Sequence, residues 1–221
     1  MARMARVVIP GYPHHITQRG NRRQKTFFCD NDYQVYTELM TEWCGRCGVA
    51  IWAYCLMPNH VHFIMAPDSE DGLRRAIGEA HRRYTRHINF RENWRGHLWQ
   101  GRFASYVLDG QYVLAAARYI ELNPVRAKLT KKPEDYPWSS AAAHLKGNND
   151  GVVAVKPLLR LVDDWRKFLS GGVSEEEYSA LRKHERTGRP LGSKRFVGQL
   201  EEKLGRVLKP QKGGRPKKQK K

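Results

Sequence analysis

Two histidines separated by a single residue, His60 and His62, sit in the run Met57-Pro58-Asn59-His60-Val61-His62-Phe63-Ile64-Met65. The run has the composition of a β-strand, in which alternate side chains share a face, so both imidazoles can converge on one metal ion. Val61, Phe63 and Met65 would pack behind them and leave His60, His62 and Ile64 on the metal face. A bare His-x-His pair serves structure more often than metal binding, so its meaning depends on what the rest of the chain supplies.

Further along, Tyr119-Ile120-Glu121-Leu122-Asn123-Pro124 follows a segment whose Tyr112, Ala115, Ala116 and Tyr119 recur at helical spacing. Tyr119 and Asn123 are four apart and share a helix face. The Asn123 amide is a neutral oxygen ligand of the kind Mg2+ or Mn2+ accepts, and the Tyr119 phenol can attack phosphorus once deprotonated. Taken alone, the same pair reads as a half-buried helix tyrosine and a helix end before proline. Tyr106 and Tyr112 compete for the nucleophile role, but neither has an amide four residues on. Glu121 lies off the Tyr119 and Asn123 face, and no acidic residue pairs with a strand motif, which weighs against a two-metal nuclease.

The elements that must position these residues follow from periodicity and punctuation. A strand is expected at residues 14–19, a helix at 30–47, a hairpin at 49–66 turning at Pro58-Asn59, a helix at 71–90, a strand at 103–108 and then the Tyr119 helix. The order β-α-β-β-α-β predicts an α+β fold, a ferredoxin-like antiparallel sheet with helices on one face, the Tyr119 helix being an added element near the His60 strand. On the 71–90 helix, Leu73, Ile77, Ala80, Tyr84 and Ile88 form a core stripe. His81 and His87 fall among its arginines, where phosphate contact or solvent exposure is expected. His14 and His15 begin the first strand without an evident role.

Together these residues resemble the single-strand DNA transposases of the HUH tyrosine superfamily (IS200-like), and most closely the REP-associated tyrosine transposases. The resemblance runs from Gly11-Tyr12-Pro13-His14-His15-Ile16-Thr17-Gln18-Arg19-Gly20-Asn21 through Met57 to Met65, then Gly96-His97-Leu98-Trp99-Gln100-Gly101-Arg102-Phe103, Tyr119 to Ala127 and Trp138-Ser139-Ser140. It implies the ferredoxin-like fold. It also implies that His60 and His62 are the two histidines of the metal motif, that Asn123 stands where the family places a third, amide-bearing ligand, and that Tyr119 is the single nucleophile. The implied protein is an enzyme that cleaves and rejoins single-stranded DNA at hairpin-forming, REP-like repeats through a 5′-phosphotyrosine, with Mg2+ or Mn2+. The alternative is a structured-DNA or RNA-binding regulator on the same scaffold that no longer cleaves. A hydrolase using water as nucleophile is a third reading. No phosphate-binding glycine loop for a nucleotide is present, consistent with strand transfer that needs no ATP.

Composition agrees with a nucleic-acid partner. The chain has 221 residues, with 40 Lys and Arg against 22 Asp and Glu and a formal net charge of +18, a balance that attracts phosphate backbones regardless of sequence. No apolar run of membrane-spanning length and no export-signal core is seen, so a cytoplasmic, nucleoid-associated protein is expected, monomer or homodimer, with no membrane partner. Cys29, Cys44, Cys47 and Cys55 are expected to be reduced thiols, with Cys44 and Cys47 packing at a helix end. For DNA contacts, Arg19, Asn21, Arg22 and Arg23 form a polar loop, and Trp99 and Arg102 belong to an aromatic and basic stretch suited to stacking unpaired bases. Trp94, Phe103 and Trp138 also lie close to basic residues and share that reading, with core packing an equally good account of Trp138.

A polar turn at residues 148–151 suggests two domains: a catalytic part, 1–147, and a basic, partly helical DNA-binding extension, 148–221, the last ten or so residues disordered. Residues 182–221 hold 15 Lys and Arg and 3 acids, 15 minus 3 giving +12 of the +18. Gly188-Arg189-Pro190 and Gly214-Arg215-Pro216 resemble minor-groove hooks, so Arg189 and Arg215 join the DNA-binding candidates. Ser174 to Glu177 reads as a capping box, with a further short helix within 192–208.

Overall fold

The computed structural model describes residues 5–210. Four antiparallel strands, β1 (His14–Arg19), β2 (Val49–Met57), β3 (His60–Pro67) and β4 (Ala104–Val107), form one sheet in the order β2-β3-β1-β4. Helices α1 (Asp30–Arg46) and α2 (Gly72–Arg91) make the two crossovers. With β3 inserted between β1 and β2, this is the ferredoxin-like α+β arrangement that the element order predicts.

Alternation along the strands divides the side chains between two cores. Ile16, Tyr54, Leu56, Val61, Phe63 and Met65 meet α1 and α2, where Tyr36, Met40, Leu73, Ile77 and Tyr84 are buried. The other face carries Ala53, Cys55, Met57, Ile64 and Tyr106 against Val113, Ala116, Ala117 and Ile120 of α3 (Gly110–Glu121). Helices therefore cover both faces rather than one. The Tyr119 helix turns back because Asp109 accepts hydrogen bonds from the Gln111 and Tyr112 backbone N–H groups at 3.1 and 3.3 Å and so starts α3 straight after β4. A short helix, α4 (Asn123–Arg126), continues from it.

Both sheet edges are covered, which removes the hazard of unpaired strand edges. Along β2, the Leu56 N–H donates to Trp138 O (2.9 Å) and the Ser140 N–H to Tyr54 O (3.0 Å), just before α5 (Ala141–Lys146). Along β4, the Leu191 N–H donates to Val107 O (2.8 Å), and the Asp109 N–H returns a bond to Leu191 O (3.0 Å).

The polar turn at residues 148–151 is pinned to the sheet: Asp150 Oδ2 accepts from the Tyr54 hydroxyl at 2.7 Å and Oδ1 from the Val152 and Val153 N–H groups. Beyond it the chain returns to both cores. Val153 and Val155 join the first, and Leu158 of α6 (Lys156–Leu159), Trp165 and Leu169 of α7 (Trp165–Ser170), and Leu181 of α8 (Glu175–Thr187) join the second. α8 begins with the expected capping box, Ser174 Oγ accepting from the Glu177 N–H and Glu177 Oε2 from the Ser174 N–H. The last helix, α9 (Lys194–Leu204), packs Leu200 against Val7, Ile9 and Val107. Arg215 and the final ten or so residues lie outside the described residues.

Candidate active site

The β1–β3 register pairs Thr17 with His62 and His15 with Ile64, which puts His15 diagonally beside His62 on the α3 face. His60 and His62 project from that same face, their ring centroids 5.0 Å apart. Tyr119, from α3, stands edge-on to His62 at 5.5 Å and to His15 at 6.0 Å between ring centroids. The strand and the helix that sequence reasoning joined are thus brought together. Asn123 is buried at the head of α4, and its Nδ2 has no hydrogen-bond partner.

Each imidazole has a partner at Nδ1. For His60 it is Asn59 Oδ1 at 2.6 Å; for His62 it is His15 Nε2 at 3.2 Å. Burial holds His60 down to about 4, with the Arg19 and Arg182 charges acting in the same direction, and burial also holds His62 well below its ordinary value. Both are therefore neutral near pH 7, the state a metal ligand requires. Among the described residues no three His, Cys, Asp or Glu side chains gather as a metal-binding group. Two neutral imidazoles on one strand face are a donor set that fits a divalent ion; at Asn123 the atom without a partner is Nδ2, an N–H donor, and a ligand role there would fall to Oδ1.

Tyr119 is only 4% exposed, and burial raises its phenol, with the Glu185 charge adding to the effect and Arg126 opposing it. The Arg126 guanidinium lies 4.7 Å from the centroids of both the Tyr119 and Tyr178 rings. Arg182 donates to the Tyr178 hydroxyl at 2.7 Å, and Thr17 donates to Glu185 Oε1 at 3.1 Å. Tyr178, Arg182 and Glu185 all belong to α8, so the C-terminal segment lies over the tyrosine. Their sequence carries no signal for this, since nothing local links residues 178–185 to residue 119.

Tyr106, the competing strand tyrosine, is fully buried, with its hydroxyl 2.6 Å from His15 Nδ1 and donating to Leu181 O at 3.2 Å. Burial pushes its phenol far up, and its hydroxyl is engaged inside the fold by His15 and Leu181. Tyr112 is half-buried against α8. Glu121 faces away from Tyr119: its Oε1 accepts from Ser140 Oγ and sits 2.6 Å from His144 Nδ1, and its Oε2 accepts from Trp165 Nε1 at 2.8 Å. This knot ties the end of α3 to the β2 edge and so fixes where Tyr119 and Asn123 stand.

The candidate DNA contacts separate into two groups. Arg22 and Arg23 are exposed in a 3₁₀ turn after β1, both in the left-handed region at φ 52° and 62°, next to half-exposed Arg19 and Asn21. Asn59 Nδ2 donates to Arg23 O at 3.0 Å, coupling this turn to the His60 partner. Arg102 is also exposed and lines a cavity of about 280 Å³ together with Arg19, His60, Gln100 and Glu185. Trp99, by contrast, is a core residue. Its ring stacks on His81 at 4.5 Å and lies within 6.1 Å of Tyr36 and Tyr84, so its faces are not open to a base. His81 is likewise not a surface residue: it is buried and hydrogen-bonded to the Tyr36 hydroxyl at 2.9 Å. Among the described residues, exposed aromatic surface is found instead at Tyr12, Phe28, Phe90 and Trp94. Arg189 follows Gly188, the left-handed cap of α8, and donates to the Leu208 carbonyl.

The site is thus a ferredoxin-like sheet whose His-x-His strand, β3, is faced by the tyrosine-bearing helix α3. The family model described as "Transposase IS200 like" matches residues 10–123, just over half of the chain, and the chain belongs to that family. Among solved structures, a REP-associated tyrosine transposase bound to a REP hairpin superposes with a TM-score of 0.58 at 22% identity, covering 70% of this chain and 92% of that one. A putative transposase from Deinococcus radiodurans R1 gives 0.39 at 18% identity over 54% of this chain and 96% of that one. No curated protein matches the sequence. No helix among the described residues is long and apolar enough to cross a membrane.

Proposed function

We propose that this transposase cleaves and rejoins single-stranded DNA at hairpin-forming repeats, with Tyr119 as nucleophile and His60, His62 and Asn123 as the ligands of Mg2+ or Mn2+. The observation that carries the reading is the approach of the Tyr119 ring, edge-on, to His62 across two elements distant in sequence. A divalent ion so held would supply Lewis-acid polarisation of a phosphate oxygen. The Tyr119 oxygen, having lost its proton, attacks phosphorus; the new O–P bond forms as the bond to the 3′-oxygen breaks, and that oxygen leaves as a hydroxyl after taking up a proton. The 5′-phosphotyrosine conserves the phosphodiester energy, so a 3′-hydroxyl can reverse the step and join a new strand. The Arg126 guanidinium over the ring favours the phenolate.

Arg19, Asn21, Arg22, Arg23 and Arg102 are proposed to hold the hairpin and its flank, and the basic segment after residue 182 to add sequence-independent phosphate affinity. Such a protein would work in the cytoplasm on nucleoid DNA. The non-cleaving regulator has one observation in its favour, the burial of Tyr119 beneath Tyr178. The two readings separate on a denaturing gel of protein with labelled hairpin oligonucleotides, in Mg2+, Mn2+ or chelator. The transposase gives a metal-dependent label on the protein that is lost in Tyr119→Phe and His60→Ala. Cleavage without attached label would replace it with the hydrolase, and binding without cleavage in either metal would replace it with the regulator.

A further inference from the structure

The two candidate metal-ligand histidines are not held by packing alone. A neutral imidazole has one N–H and one lone pair, and only the nitrogen with the lone pair can bind a metal. Which nitrogen that is depends on the partner of the other.

At His62 the partner chain is three groups long. The Tyr106 hydroxyl donates to the Leu181 carbonyl at 3.2 Å, and a carbonyl can only accept, so the hydroxyl proton is spent there. Its oxygen, 2.6 Å from His15 Nδ1, is then left to accept, which puts the His15 proton on Nδ1. The His15 Nε2 lone pair in turn faces His62 Nδ1 at 3.2 Å and accepts its N–H, leaving the lone pair of His62 on Nε2. Reversing the chain would leave Leu181 O without this donor and place a proton on His62 Nε2, where no metal could bind.

At His60 the same result comes from one residue. Asn59 Nδ2 donates to Arg23 O at 3.0 Å, which orients the amide, so Oδ1 faces His60 Nδ1 at 2.6 Å and accepts its N–H. Both imidazoles therefore present Nε2.

We infer that His15, Tyr106 and Asn59 are positioning residues that lock His60 and His62 as Nδ1–H tautomers, so that both Nε2 lone pairs are left for a divalent cation. The inference rests on the metal reading above. It assigns work to two residues, His15 and Tyr106, which the β1–β4 register sets opposite each other while the β1–β3 register sets His15 beside His62. It also gives the α8 backbone a role, since Leu181 O terminates the chain.

The first test needs no mutation and no metal. Long-range ¹H–¹⁵N correlation spectra of the full-length, metal-free protein labelled at histidine nitrogen report which ring nitrogen is protonated. Nδ1–H patterns for His15, His60 and His62 are expected, and an Nε2–H pattern at His60 or His62 would overturn the proposal. The second test is Tyr106→Phe, with the fold checked by circular dichroism. Its His62 signal is expected to become a mixture of tautomers, and its Mn2+ affinity, read by electron paramagnetic resonance, to weaken by roughly 10–100-fold. An unchanged tautomer and unchanged affinity in a folded variant would refute the relay through Tyr106. If wild type and His60→Ala bind Mn2+ equally, the metal reading itself fails, whereas the tautomer spectra still decide the positioning role.

Discussion

Lowering the pH from 7.5 to 5 should take most of the stability out of this fold, because it buries so many neutral imidazoles. Burial holds His14 and His60 at about 4 and His15 and His81 at about 3, all below the roughly 6.5 of an unfolded chain. A folded value lower than the unfolded one means that the unfolded chain takes up the proton first. The stabilisation is therefore complete above about pH 6.5 and is lost as pH falls toward 4 and 3. At pH 5 each group has crossed about 1.5 units of that window, which at about 1.4 kcal/mol per unit costs ~2 kcal/mol. Four such groups cost ~8 kcal/mol, comparable to the ~5–15 kcal/mol of a whole domain, and His62 acts in the same direction. His81 allows the effect to be isolated, because it lies on the helix face opposite the candidate site, against Trp99 and Tyr36. In urea unfolding followed by tryptophan fluorescence at pH 7.5, 6 and 5, wild type should lose ~2 kcal/mol more than His81→Gln over that range. Equal pH dependence of the two proteins would refute the reasoning, as would a wild type whose midpoint does not move.

Three other outcomes follow from the site and its supports. Glu121→Ala strands the Ser140, His144 and Trp165 donors at the end of α3 and should cost ~3–5 kcal/mol in urea unfolding, against ~1–3 kcal/mol for Glu121→Gln, which keeps one acceptor. Glu185→Gln removes a charge that raises the Tyr119 phenol, so the pH profile of adduct formation should shift to lower pH; a profile that stays in place would separate Glu185 from the nucleophile. Arg23→Gly relieves a left-handed arginine and should raise stability by up to about 1 kcal/mol while weakening hairpin binding, measured by fluorescence anisotropy. Unchanged hairpin affinity in that variant would remove Arg23 from the interface.

What the sequence determined by itself is local. Alternation placed β1 at residues 14–19 and set His60 and His62 on one face of β3, and helical spacing put Tyr119 on a helix, Gly110–Glu121, but that helix ends before Asn123, which begins α4 instead of sharing a helix with Tyr119 as expected. These features depend on periods of two and 3.6 residues, which a linear reading can see. Tertiary structure decided the rest. Strand pairing brought His15 beside His62, and the second face of the sheet, not the first, received α3. The stretch around Trp99 has the composition of a base-stacking surface, yet the ring is buried because residues 96–103 run beside β1, with the Asn21 N–H bonded to Leu98 O and the Gln100 N–H to Arg19 O. Gly188-Arg189-Pro190 has the composition of a minor-groove hook but follows directly on α8, with Gly188 as its left-handed cap and Arg189 donating to the Leu208 carbonyl. α8 lies about 60 residues on from Tyr119, yet its Tyr178 ring meets the Tyr119 ring and its Leu181 joins the same core. Contacts of that separation depend on which faces remain unfilled once the sheet has formed, and no local period encodes them.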